Sequence, residues 1–210
     1  WRKHRRKGPC LSDREGMVDR MTKNIMIVGV GGQGTLLASK LLGYVLLRQG
    51  YDVKVSEVHG MSQRGGSVVT YVRYGEKVYS PVIDKGEADI IISFEKLEAA
   101  RWLEYLKPEG LVITNTQEME PMPVVTGAAV YPGELVEKMQ TAGARVDAED
   151  FLEIARQAGS AKAVNIALLG RFSRYFPEIG EKDWKEAIGA IVPQKFRELN
   201  FRAFELGRSA

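Results

Sequence analysis

The sequence predicts an α/β fold: a Rossmann-like, mostly parallel sheet with an inserted β-hairpin and a helical C-terminal region. Three observations carry that expectation. Short runs of branched apolar residues ("KNIMIVGV", residues 23–30; "ADIIISF", 88–94; "GLVITNT", 110–116) alternate with stretches of helical character, the pattern of a parallel sheet covered on both faces. The first run ends in glycines that lead straight into a helix. From residue 147 onward helical patterns dominate.

Taken in order, residues 23–30 form a buried strand, and "TLLASKLLGYVLLRQG" after Gly34 reads as a largely apolar helix stopped by Gly50. "YDVKVSEV" (51–58) alternates and is a second strand, which closes a βαβ unit. A helix is due next, yet "HGMSQRGGS" (59–67) is a glycine-rich loop. "VVTYVRYGEKVYSPV" then reads as two strands turning around Tyr74, Gly75 and Glu76. The alternation resumes with the strand at 88–94, an amphipathic helix in "EKLEAARWLEYLK" and the strand at 110–116. Pro121 and Pro123 mark a surface connection, "GAAVYPG" (127–133) is expected to be a further strand, and 134–141 a helix. The remainder divides into helices at "DAEDFLEIARQAG", "AVNIALLGRFSRYF", "KDWKEAIGAIV" and "PQKFRELNFRAFELGR". The carboxylates Glu95, Glu98, Glu104, Asp147, Glu149, Asp150 and Glu153 stand at helical spacing among basic residues, so they are expected on solvated helix faces.

At 210 residues, with 44% apolar and 27% charged side chains, the chain fits one globular core. The domain is expected over 21–210. Residues 1–20 hold seven Lys or Arg against Asp13, Glu15 and Asp19 and lack apolar periodicity, so this basic head lies outside it. The head is either an arm for an anionic surface or residues that precede the true start. Nothing resembles a membrane span or a secretory signal, which points to the cytoplasm. Cys10 is the lone cysteine, so a disulfide framework and a cysteine-ligated metal or cluster are excluded.

Two segments carry candidate chemistry. Gly29, Gly31 and Gly34 satisfy G-x-G-x-x-G between a strand and a helix, where backbone N–H groups favour an anion. Gly32 and Gln33 are additions to that pattern. With Glu57 at the end of the second strand to hold a ribose hydroxyl, one reading is a dinucleotide site, free-standing or regulatory. Another is a turn kept glycine-rich for close helix–strand packing. The second segment gathers His59, Ser62, Gln63, Arg64, Gly65 and Gly66 at the C-terminal end of a strand, the edge where open α/β sheets bind ligands. Arg64 suits phosphate or carboxylate, the glycines admit a close approach, and His59 is the simplest general base at neutral pH.

Together "IVGVGGQGTLLASKLLG" and "EVHGMSQRGGSVVTYVRYG" resemble the gamma-type subunit or domain of the 2-oxoacid:ferredoxin oxidoreductases. The likeness extends over residues 21–208, including "GEADIIISFEKLEAARWL", "NIALLG" and "VPQKFRELNFRAFELGR", and "HGMSQRGG" is similar to the indolepyruvate branch. The resemblance implies oxidative decarboxylation of a 2-oxo acid, here an aryl pyruvate, with coenzyme A taking the acyl group and ferredoxin the electrons. Thiamine diphosphate, Mg2+ and [4Fe–4S] clusters would carry that chemistry. No thiamine-type G-D-G segment is present, so the resemblance places those cofactors on a large partner subunit, in an α2β2 heteromer, with no nucleic acid or membrane involved. Gly29, Gly31, Gly32, Gln33 and Gly34, with the second loop from His59 to Gly66, are then expected to face the partner and the coenzyme A side of its active site. On this reading no catalytic residue is assigned, and the chain is inactive alone.

Overall fold

The computed structural model describes residues 22–59 and 66–210. Six strands form one sheet in the order β2-β3-β1-β4-β5-β6. They are β1 (Lys23–Val30), β2 (Asp52–His59), β3 (Ser67–Gly75), β4 (Ala88–Ser93), β5 (Leu106–Asn115) and β6 (Arg145–Glu149). Strands β1, β4, β5 and β6 pair in parallel, and β3 runs antiparallel to both β1 and β2. The expected α/β class and its inserted antiparallel element are therefore present.

β1 explains why its sequence is apolar at successive positions. Ile25 and Ile27 enter one core cluster while Met26 and Val28 enter the other, so both faces of the strand are covered. The larger cluster packs the sheet against α1 (Thr35–Arg48), α5 (Phe151–Ala158), α6 (Val164–Ser173), α7 (Glu181–Ile191) and α8 (Arg197–Ser209). The smaller one packs it against α2 (Lys96–Arg101) and α4 (Leu135–Thr141). A short turn of helix, α3 (Met122–Val125), lies in the connection after β5. Asp150 caps α5 by accepting the Glu153 N–H at 2.9 Å, and Gly159 ends that helix in the left-handed region at φ +119°.

Three elements differ from the sequence reading. β3 pairs antiparallel with β2 before it in the chain, rather than with the stretch that follows Tyr74–Glu76. Residues 76–87 form no strand. Instead Asp52 accepts the Val78 N–H at 3.0 Å, and the Arg73 guanidinium donates to the carbonyls of Ser80 and Val82 at 3.2 and 2.7 Å. Pro81 lacks the N–H that a ladder requires, so side chains moor this stretch. Residues 127–133 are likewise not a strand, and Val130 is 89% exposed. The sixth strand is "RVDAE", a five-residue edge strand whose polar composition conceals it.

Asp147 therefore sits in β6, not on a solvated helix. Arg171 of α6 grips it through two bonds of 2.7 and 2.8 Å, and the Tyr175 hydroxyl adds a third at 2.6 Å. Burial works to raise the Asp147 pKa, but the bonds from Arg171 and Tyr175 outweigh it and hold the carboxyl below its ordinary range.

α6 and α8 cross at backbone contact. A Cβ on Gly170 would lie 2.2 Å from the Phe204 carbonyl oxygen, and one on Gly207 would lie 2.0 Å from that of Ala167. No side chain fits between these helices, and the two glycines allow their approach.

Candidate functional site

The turn after β1 has the strand–turn–helix context that gives its glycine pattern physical meaning. Gly34 caps α1 at φ +89°, a region that disfavours any residue with a Cβ. Gln33 closes the turn from inside: its N–H donates to the Val30 carbonyl at 3.2 Å, and its Oε1 accepts the Val30 N–H at 2.7 Å. Its Nε2 donates to the Phe94 carbonyl and approaches the Met119 sulfur, each at 3.2 Å. Gly29 makes this possible, since a Cβ there would lie 2.8 Å from Gln33 Oε1 and 3.0 Å from the Phe94 Cβ. The Gln33 amide is thus engaged within the chain on both its oxygen and its nitrogen. What the turn presents outward is the backbone of Gly31 and Gly32.

The end of the second glycine segment, at Gly66 and Ser67, adjoins the first because of sheet register. β3 pairs Ser67 with Val30 and Val68 with Gly29, so the start of β3 lies beside the turn. The Gly31 N–H donates to the Gly66 carbonyl at 2.9 Å and ties the two together. Ser62, Gln63, Arg64 and Gly65 lie outside the described residues, as does the His59 side chain; the His59 backbone pairs with Val68. Ser67 anchors the departing end of the loop. Its hydroxyl donates to the Glu98 carboxylate and accepts the Trp102 Nε1–H at 3.3 Å, while Arg101 pairs with Glu98 at 3.2 Å.

Two clefts flank the turn. One, of about 440 Å³, is lined by Gly31, Gly32, Gly34, Thr35, Leu36, Glu57 and Val68. Glu57 does reach this wall, but β3 lies between β1 and β2, so the carboxylate stands two strands away from Gly29. A dinucleotide fold needs its acidic residue on the neighbouring strand. The other cleft, of about 520 Å³, has Gly31 to Gly34 on one side and Phe94, Met119, Leu152, Lys162 and Asn165 among its other lining. Asn165 is 4% exposed and donates to the Gly34 carbonyl at 3.4 Å. Apolar side chains, one ammonium and the exposed Gly32 backbone suit this space to binding and orienting a ligand.

Sequence reasoning missed Glu95 and Glu98, expected in solvent but 1% and 5% exposed. Glu95 caps α2 by accepting the Glu98 N–H at 2.8 Å. Its other oxygen accepts the Met119 N–H at 3.3 Å and the Tyr131 hydroxyl, so it moors the connection after β5. Burial, followed by the bond to Glu95, pushes the Tyr131 hydroxyl well above the usual phenol range. A signal was available in the sequence: an acidic residue at the junction between a strand and a helix occupies a capping position. Among the described residues no cluster of His, Cys, Asp or Glu suits a metal ion, and no helix is long and apolar enough to cross a membrane.

The family model described as pyruvate ferredoxin/flavodoxin oxidoreductase matches residues 24–210. The chain is 47% identical over 194 residues to the indolepyruvate oxidoreductase subunit IorB of Thermococcus kodakarensis, covering 89% of this chain and 95% of that protein. Among solved structures, the pyruvate oxidoreductase subunit PORC of Thermotoga maritima superposes with a TM-score of 0.70 at 22% identity, covering 90% of this chain and 96% of that one. A 2-oxoglutarate:ferredoxin oxidoreductase from Magnetococcus marinus, solved with 2-oxoglutarate, coenzyme A and succinyl-CoA bound, superposes with a TM-score of 0.68 at 19% identity. That match covers 90% of this chain and 30% of the longer one.

Proposed function

The chain belongs to the pyruvate ferredoxin/flavodoxin oxidoreductase family, and on that premise we propose that it is the small subunit of a cytoplasmic 2-oxo acid:ferredoxin oxidoreductase acting on indolepyruvate or a similar aryl pyruvate. The observation that carries this reading is the 47% identity to an indolepyruvate oxidoreductase subunit across nearly the whole of both chains. Thiamine diphosphate, Mg2+ and [4Fe–4S] clusters belong to a large partner subunit. Cys10 as the sole thiol leaves this chain without a ligand set for a cluster. Thiamine diphosphate supplies the carbanion chemistry and the clusters carry the electrons to ferredoxin.

The contribution of this chain is to complete the site from one side. The exposed backbone of Gly31 and Gly32, the start of α1 and the Lys162 ammonium suit the phosphates of coenzyme A. In the second glycine segment, Ser62, Gln63 and Arg64 supply polar contacts to the partner and ligand, and Gly65 and Gly66 permit a close approach. Residues 21–210 act as one domain, the basic head at 1–20 is dispensable, and the complex is a heteromer of α2β2 type.

The test is reconstitution. The chain alone should reduce no viologen dye with indolepyruvate and coenzyme A, while the chain mixed with its large subunit should reduce it and form the acyl-CoA. A mixture that assembles and still reduces no dye with any aryl pyruvate overturns the reading. Glu57 on the cleft wall motivates one rival, a dinucleotide site. Tight calorimetric binding of NAD, NADP, FAD or ATP to the isolated chain would favour that rival.

A further inference from the structure

Gln33 joins three elements that do not otherwise meet at one side chain. The turn is held through Val30, the end of β4 through the Phe94 carbonyl, and the start of the connection after β5 through Met119. Phe94, Met119 and Gly31 to Gly34 all line the larger cleft. The amide therefore ties together three segments that line one ligand-sized space. Its chemistry is specific: the Val30 N–H needs an acceptor, while the Phe94 carbonyl and the thioether need a donor, and only an amide side chain of this length supplies both. A further lock holds the same turn from its other end, where Asn165 reaches the Gly34 carbonyl.

We propose that Gln33 is a positioning residue for coenzyme A. Its amide does not touch the ligand but fixes the distance between the glycine turn and the Phe94–Met119 wall, and so sets the affinity of the assembled enzyme for coenzyme A. The inference rests on the proposed role of this edge in coenzyme A binding. It departs from the sequence expectation that Gln33 itself contacts the partner or ligand.

The experiment uses the assembled two-subunit enzyme, with indolepyruvate, coenzyme A and a viologen dye. Gln33→Glu keeps the acceptor for Val30 but turns a carboxylate toward two acceptors. It should raise the KM for coenzyme A by about five- to tenfold, the scale of a lost hydrogen bond or a small misplacement. That change should exceed any change in kcat or in the KM for indolepyruvate. Met119→Leu removes the sulfur alone and should raise the same KM by about twofold.

An assembled Gln33→Glu enzyme with an unmoved coenzyme A KM, or with kcat and both KM values worsening together, overturns the proposal. If that variant does not assemble, Met119→Leu decides, and an unchanged KM there overturns it. Lys162→Glu separates the two levels of the argument. Should it raise the coenzyme A KM while Gln33→Glu does not, the positioning role falls and the coenzyme A reading stands; should neither do so, both fall.

Discussion

At the α6–α8 crossing a Cβ on Gly207 would lie 2.0 Å from the Ala167 carbonyl oxygen, whereas a Cβ on Gly32, in the turn after β1, would meet nothing within 4 Å. Both positions lack a side chain, for opposite reasons. At the crossing the space is already filled by backbone, so glycine serves the fold. At the turn the space is open and the positive φ of +101° is what calls for glycine at 32, so the chain leaves room beside this backbone, which the proposed ligand would use. The sequence pattern treats the two alike, and only the neighbours tell a glycine packed against backbone from one set in open space.

The largest test of this contrast is Gly207→Ala. Forcing a methyl against a backbone carbonyl must separate two helices that carry part of the main core. The cost should be about 3 kcal/mol or more, or a fall in Tm of about 10 °C for a chain of this size. Thermal and urea unfolding of the purified chain would measure it. A loss below about 1 kcal/mol would mean that the crossing yields easily and that Gly207 is not needed for close approach.

What the sequence made legible follows the same division. Where burial is complete on both faces, as at Ile25 to Val28 and Ile91 to Ile92, the apolar runs announce strands without ambiguity. The glycine turn was legible too, because strand, turn and helix are contiguous. The edge strand Arg145–Glu149 was not, since a half-exposed strand of five residues with three charged side chains carries no period-two signal. Glu95 and Glu98 misled for a related reason: their spacing is that of a surface helix, and what buries them is the distant connection with Met119 and Tyr131, together with Ser67. The sequence suggested, through the family resemblance, that the two glycine segments share one edge. The bond that joins them, from Gly31 N–H to the Gly66 carbonyl, depends on sheet register and is invisible before pairing is known.

The second test probes the crossing helix from its other neighbour. Arg171, next to Gly170, holds the edge strand through Asp147, and their side chains are 16% and 10% exposed. Asp147→Asn leaves the guanidinium with a weaker partner and should cost about 2 kcal/mol in urea unfolding at pH 7. Because the folded pKa of Asp147 lies below its unfolded value, the stability it contributes is present above the ordinary value of 3.8 and is lost as pH falls through the lower folded one. The wild-type and variant unfolding midpoints should therefore converge as pH drops below about 4. Curves that stay parallel down to pH 2 would remove this pair from the account of how β6 is held.

The smallest expected effect on stability is the most informative about the turn. Gly32→Ala adds a methyl that meets no atom, so its cost reduces to holding an alanine at positive φ, about 1 kcal/mol. Urea unfolding should thus barely separate it from wild type, in contrast with Gly207→Ala. In the assembled enzyme the order should reverse. The added methyl projects from the backbone that both clefts share, so the KM for coenzyme A should rise several-fold while the folded chain stays intact. If Gly32→Ala instead destabilises the chain as much as Gly207→Ala and leaves coenzyme A kinetics alone, the turn is a packing device like the crossing. The open space beside Gly32 would then have no ligand to explain it.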